Sequence, residues 1–364
     1  MYIYGIIFIV LAFFSIENEV RPIKNINFYL ILICTILILF AGFRGVAVSR
    51  DYVPYLGSFN AVMHGGNDGG HGVLPLFEPG FLFIVKCSFY LFENNGPLTV
   101  MLAFAFFSIT IKTVALKRLS INPFLVLLLY YSHFFLLQEM TQIRNGLACS
   151  FLYLAILSHL KSKIKLTLFW ILLASLFHIS SLFYLLLLFL KKDSFNTYIY
   201  VGLLILSIIF GILKLPILSS IAGFDLNIIS NKLTTYAELA DKGFSSNTRF
   251  FNVLNSFNVL ITILLLLYHI NTKQKSPVLT ILLKCNIISI FSYGFLINVP
   301  SIASRVSELF GAVTPFLYCY LLKVMPNKKL NLLAIIGIAL IFFYINLFYG
   351  KLLGPYSIMP IQWN

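Results

Sequence analysis

The chain has 364 residues, 60% of them hydrophobic and only 10% charged, with a mean hydropathy of +0.94. That composition excludes an ordinary soluble globule. Lys and Arg (26) outnumber Asp and Glu (12), but no basic patch with interleaved aromatics is present, which argues against nucleic acid as a partner.

Apolar runs lie near 1–16, 27–43, 98–116, 124–137, 145–160, 166–190, 196–213, 252–270, 277–297, 308–322 and 330–348. They approach or exceed the length of about 20 residues that spans hydrocarbon. The expected fold is an all-α polytopic membrane protein with about 11–13 transmembrane or re-entrant helices, forming a single integral membrane domain over 1–364. The first run lacks a basic leader and is followed by Glu17-Asn18-Glu19, so it reads as a retained helix rather than a cleaved signal. Cys34, Cys87, Cys149, Cys285 and Cys319 all fall in apolar segments without metal-ligand spacing and read as buried thiols.

Lysine-rich loops at 161–165, 191–192, 273–275 and 323–329 mark the cytoplasmic side and face an acidic leaflet. Threading from them puts 21–24 and 117–118 inside. It puts 44–80, 138–145, 214–251, 297–307 and the tail 349–364 outside. The stretch 80–93 is short and carries Lys86, so it reads as re-entrant or interfacial. Residues 166–190 lie between two inside loops, too few for two spans. Two half-helices meeting near His178, or an irregular break lining a cavity, would resolve this.

Five of the seven arginines, Arg44, Arg50, Arg144, Arg249 and Arg305, then sit in or beside outer loops, against the usual bias of positive charge. Guanidinium binds phosphate bidentately and does not lose its proton, so the pattern points to an anionic, phosphate-bearing ligand at the outer surface.

Taken along the chain, Arg44, Arg50 and Asp51 open the first outer loop. They read either as snorkelling cations with a paired carboxylate, or as two phosphate-holding guanidiniums with Asp51 orienting one or accepting a proton. Glu78-Pro79 closes that loop, as a helix N-cap or as a general base in a low-dielectric setting. Gln138–Gly146 is a polar patch in which Glu139 and Arg144 read either as a structural ion pair or as part of a site, since its side-chain donors and acceptors exceed what a turn requires. His178 sits at the break in an apolar run, either hydrogen-bonded locally or functional. Residues 227–239 have the pattern of an amphipathic helix that would lie on the membrane as a lid delivering Arg249. Arg305 and Glu308 are three apart on one helix face. The pair His64 and His71 with Asp68 is a weak metal candidate in a glycine-rich loop, and no metal or cofactor is expected. A phosphate-cradling loop, a dinucleotide fingerprint and a nucleotide-sugar Asp-x-Asp motif are all missing.

The stretch Phe43-Arg44-Gly45 to Ser49-Arg50-Asp51-Tyr52 and Tyr55, then Glu78-Pro79, Gln142-Ile143-Arg144-Asn145-Gly146-Leu147-Ala148 and Phe177-His178-Ile179-Ser180, in this order, resembles the EpsG-like branch of bacterial Wzy-type O-antigen and exopolysaccharide polymerases. Ser49 stands where a glycine is usual, and Asn145 where a glutamine is common. The resemblance implies a GT-C-like membrane glycosyltransferase of the bacterial inner membrane, its active site formed by periplasmic loops. The growing glycan would pass from undecaprenyl pyrophosphate onto the non-reducing end of a new lipid-linked repeat unit, with a chain-length regulator protein as a candidate partner. Arg44, Arg50, Arg144, Arg249 and Arg305 would then hold pyrophosphates. Asp51, Glu78, Glu139 or His178 would accept the acceptor's proton. The competing readings are a flippase for the same lipids, which would favour an internal repeat and midplane charges, and a ligase or other lipid-linked-sugar transferase.

Overall fold

A computed structural model describes residues 1–64, 78–214, 249–272, 275–324 and 326–360. In chain order these form α1 (Tyr2–Val20), α2 (Ile26–Gly42), a 3₁₀ turn (Val46–Val48), α3 (Tyr52–His64), α4 (Pro79–Phe92), α5 (Gly96–Leu119) and α6 (Pro123–Tyr130). α6 runs on as a π-helix (Tyr131–Glu139), followed by α7 (Ile143–Leu160), α8 (Ile164–Ser175), a 3₁₀ helix (Ile179–Phe189) and α9 (Thr197–Leu213). Then come α10 (Val253–Asn271), α11 (Pro277–Phe295), α12 (Pro300–Gly311), α13 (Thr314–Tyr318), a 3₁₀ segment (Cys319–Lys323) and α14 (Lys328–Tyr344), which ends in a π turn (Ile345–Tyr349). Six helices are long and apolar enough to cross a membrane, and five shorter apolar helices accompany them among the described residues. The protein is an all-α polytopic membrane protein.

Helix starts follow local chemistry. Proline occupies the first turn of α4, α5, α6, α11 and α12, where its missing N–H costs nothing. The side chains of Asn122, Asn196, Asn252 and Asn327 accept from the first free backbone amides of α6, α9, α10 and α14, which would otherwise lie unsatisfied next to hydrocarbon.

The chain forms two compact units, Met1–Leu188 with Tyr318–Asn364, and Phe189–Leu317. In the first, α5 packs on α2, α4 and α7, and α7 packs on α8. The expected break near His178 is present: α8 stops at Ser175 and a 3₁₀ helix begins at Ile179. At about 1.5 and about 2.0 Å rise per residue, neither piece alone crosses about 30 Å of hydrocarbon. The 80–93 stretch is a 14-residue helix whose Phe81, Ile84, Val85 and Ser88 are buried.

One expectation is corrected. Glu139 does not pair with Arg144. Its Oε1 is held by the Lys112 ammonium, by the Tyr130 hydroxyl at 2.7 Å and by Ser108 Oγ at 2.9 Å. Lys112 also donates to Gln138 Oε1 at 3.0 Å. Lys112 and Glu139 are both almost fully buried. The physical reason is desolvation: a charge inside the membrane must be matched by one at the same depth. Lys112 is the one charged residue in the run 98–116.

In the second unit Tyr200, Leu204, Phe250, Val259, Leu266, Ile287, Ile290 and Ile297 form the core. Ser207 Oγ donates to Ile290 O at 2.6 Å, joining α9 to α11, and Asn286 Nδ2 donates to Asn258 Oδ1 at 2.9 Å, joining α11 to α10. The apolar run 308–322 is not one helix: α12 ends at Gly311, and two short helical pieces follow. The proposed amphipathic segment 227–239 and the Asp68–His71 part of the metal candidate lie outside the described residues. Cys34, Cys149, Cys285 and Cys319 are buried thiols outside any disulfide, while Cys87 is half-buried.

Removing one member of the Lys112–Glu139 pair leaves a buried charge alone. Lys112→Met is expected to destabilise the protein by about 3–5 kcal/mol. Lys112→Met combined with Glu139→Gln should recover much of that loss. Thermal unfolding in detergent checks this, and a double variant as unstable as the single one would contradict it.

Candidate functional site

The site is built at the loop connecting α2 to α3. Phe43 to Ser49 is not free loop: the C-terminal tail lies along it in one antiparallel register. Arg44 bridges Ile358, and Ser49 bridges Leu353. Gly45 N donates to Ser357 O at 2.7 Å, Gly354 N to Val48 O at 2.8 Å and Met359 N to Phe43 O at 2.9 Å. The approach requires a glycine at position 45, since a Cβ there would stand 2.3 Å from Ser357 Oγ. Tyr4 and Tyr356 reinforce the strap by donating to Gly354 O at 3.2 Å and Phe40 O at 3.0 Å.

Beneath the strap the Arg44 side chain is completely buried. Its guanidinium donates to Ala41 O and to Met101 Sδ at 3.3 Å, and lies 5.6 Å from the Tyr52 ring centre. Its Nε has no hydrogen-bond partner, and no carboxylate stands within ion-pair distance among the described residues.

Arg144 begins α7 and is partly open, with 28% of its side chain exposed. Nη1 donates to Glu78 Oε2 at 2.6 Å, the guanidinium bonds the Tyr55 hydroxyl, and its carbon lies 5.4 Å from the Phe81 ring centre. Glu78 occupies the N-cap position of α4, yet its carboxylate makes no cap bond. It turns instead to Arg144 and toward His178, whose Nδ1 is 3.9 Å from Glu78 Oε1. His178 reaches this place because the 176–178 break packs on the start of α4. Gly80 N donates to Leu176 O at 2.8 Å, and a Cβ at Gly80 would meet both that oxygen and the Phe177 ring.

Asp51 is half-buried between the two cations. Burial raises its carboxyl pKa, while the fields of Arg144 and then Arg44 partly offset the rise. Arg44, Asp51, Glu78, Arg144 and His178 therefore come together, with Tyr52, Tyr55 and Phe81 around them. Sequence reasoning assigned no role to those three aromatic residues, although α3 carries Tyr52 and Tyr55, three apart, on one face. Arg50 is exposed and lines a different cleft with Lys351. Glu139 lies deeper, in the Lys112 cluster.

A family model described as the EpsG family matches residues 27–362. The chain belongs to the EpsG family. This EpsG-family chain is 24% identical over 361 residues to the amylovoran biosynthesis protein AmsC of Erwinia amylovora, covering 97% of its own length and 93% of the relative's. No solved structure matches it.

Arg249 and Arg305 belong to the second unit, where both are exposed. On α12, burial pushes the Glu308 carboxyl up to about 7, and Arg305 partly offsets the shift. A folded value of about 7 against 4.5 means that the native state keeps a proton which the unfolded chain has released. Stability therefore falls as pH rises from 4.5 through about 7 and is level above that. Glu308→Gln should flatten this slope in melting temperature against pH. An unchanged slope would remove Glu308 as its source.

Proposed function

We propose that this EpsG-family chain is a polysaccharide polymerase. It transfers a growing glycan from undecaprenyl pyrophosphate onto a new lipid-linked repeat unit at the periplasmic face of the bacterial inner membrane. The carrying observation is Arg44, a fully buried guanidinium without a carboxylate partner among the described residues. An unmatched buried charge costs several kcal/mol, and an incoming anion removes that penalty. A leaving pyrophosphate is such an anion. Family membership and the exopolysaccharide relative supply the polymer context, since AmsC's name places that protein in amylovoran synthesis.

In this reading the donor's anomeric carbon–oxygen bond breaks and its electron pair goes to the pyrophosphate. Arg44 and Arg144 stabilise the growing charge, taking the part that a metal plays in many phosphate sites. The acceptor hydroxyl attacks the anomeric carbon and gives its proton to Asp51, whose raised pKa suits a base at neutral pH. Glu78 holds Arg144 in place, and His178 sits behind Glu78. Glu139 is tied to Lys112, Tyr130 and Ser108, so it serves the framework. The strap bonds residues 353–359 to residues 43–48, which supports the expectation that the tail and the first loop share one side of the membrane.

Two variants test the roles on a purified lipid-linked repeat unit, with chain elongation read as a ladder. Arg144→Lys cannot make the same planar contacts to Glu78, Tyr55 and phosphate, and should slow elongation about 100-fold. Asp51→Asn should slow it about 100- to 10,000-fold. Wild-type protein that moves the lipid across vesicles without elongating it would replace the polymerase reading with a flippase. Near-normal ladders from Arg144→Lys would show that guanidinium geometry is not needed there.

A further inference from the structure

A second cleft, of about 560 Å³, is lined by the 46–50 turn. Arg50, Lys351 and Met1 with its α-amino group line it, and its walls include Val53, Leu347, Phe348 and Pro355. Neither Arg50 nor Lys351 forms a salt bridge among the described residues. Lys351 also holds a left-handed backbone, φ 45°, a conformation that a residue bearing a Cβ adopts only where its surroundings hold it. Gly350 N and Leu352 N fasten the chain on either side of this bend, to Ile345 O at 2.7 Å and Asn346 O at 2.9 Å, so the lysine is presented by a fixed backbone.

The apolar walls are open as well as greasy. Val53 is 62% exposed and Phe348 48%, and Phe348 sits in the last turn of the membrane-crossing helix Lys328–Tyr349. The cleft therefore stands where hydrocarbon gives way to water, with charge at one part of its rim and an apolar flank toward lipid. Its volume falls within the range of small-molecule sites. A ligand that satisfies both halves carries a phosphate head and a hydrocarbon chain.

We propose that the Arg50–Lys351 cleft binds the phosphate head and first isoprene units of a second polyprenyl-phosphate lipid, separate from the anion held by Arg44 and Arg144. The role of that lipid as the acceptor substrate rests on the polymerase reading. The binding itself rests on the cleft alone. The outer arginines are thereby divided between two anions. Arg44 and Arg144 meet the leaving group, while Arg50 works with a lysine from the far end of the chain to seat the partner lipid. Arg50 and Asp51 are neighbours in the chain, so a lipid seated on Arg50 lies close to the carboxylate that takes the acceptor's proton.

The test measures how many molecules of undecaprenyl phosphate bind per chain, by native mass spectrometry of the full-length protein released from phosphatidylcholine nanodiscs. Arg50→Gln combined with Lys351→Gln should bind one molecule fewer than the wild type, or bind it roughly ten-fold more weakly. Both positions are exposed, so folding is not at issue. Val53→Trp, which fills the cleft and leaves both cations in place, should have the same effect. Unchanged stoichiometry and affinity in both variants would overturn the assignment. So would displacement of the lipid by an equal amount of phosphatidylglycerol, which would make the cleft an ordinary contact for anionic bilayer lipid. Neither readout depends on elongation, so failure here is distinct from failure of the polymerase reading.

Discussion

A backbone polar group that lies away from water must find its partner within the chain, and the strap between residues 43–49 and 353–359 is where that constraint shapes the site. A helix that ends near hydrocarbon leaves backbone carbonyls and amides which water cannot serve. Here the tail serves them, across more than 300 positions of sequence. The same contact buries Arg44, fixes the turn that carries Arg50 and sets the start of α3 with Asp51, Tyr52 and Tyr55. Arg44, Arg50 and Asp51 thus all depend on the tail for their placement.

A similar logic governs the interior. Lys112 and Glu139 are tolerated because each neutralises the other and because Tyr130, Ser108 and Gln138 use the remaining hydrogen-bonding capacity. The π-helix that ends at Glu139 is followed after three residues by α7 and Arg144. A buried framework pair therefore lies directly before an arginine that faces the site. Its partner Glu78 shows the opposite economy: a residue standing at a helix N-cap leaves that post open and gives its carboxylate to a cation and a histidine. Proline at the next position already removes one of the amides that would have needed capping.

Much of the membrane framework was legible in the sequence. Runs of apolar residues, prolines in first turns and asparagine caps are local signals, and the helices begin where those signals stand. The break before His178 was legible for a related reason: too few residues separate two basic loops to make two crossings. Glu78, Arg144, His178, Arg44 and Asp51 were each visible as charged or polar residues that hydrocarbon tolerates only for a reason. Pairing was less accessible. Arg144 and Glu139 are neighbours in sequence but point into different levels of the fold, and Lys112 was hidden because one lysine scarcely lowers the hydropathy of its run.

What the sequence by itself determined is the class of protein: a chain so apolar can only fold within a bilayer, as helices, with its few charges placed where they are matched or used. What only the tertiary structure decided is which charges meet. Glu78 goes to Arg144, Lys112 takes Glu139, Arg44 is left without a carboxylate among the described residues, and Arg50 shares a cleft with Lys351. These choices rest on depth, close backbone approach at Gly45 and Gly80, and contacts between remote segments. Local sequence periodicity carries no information about any of the three.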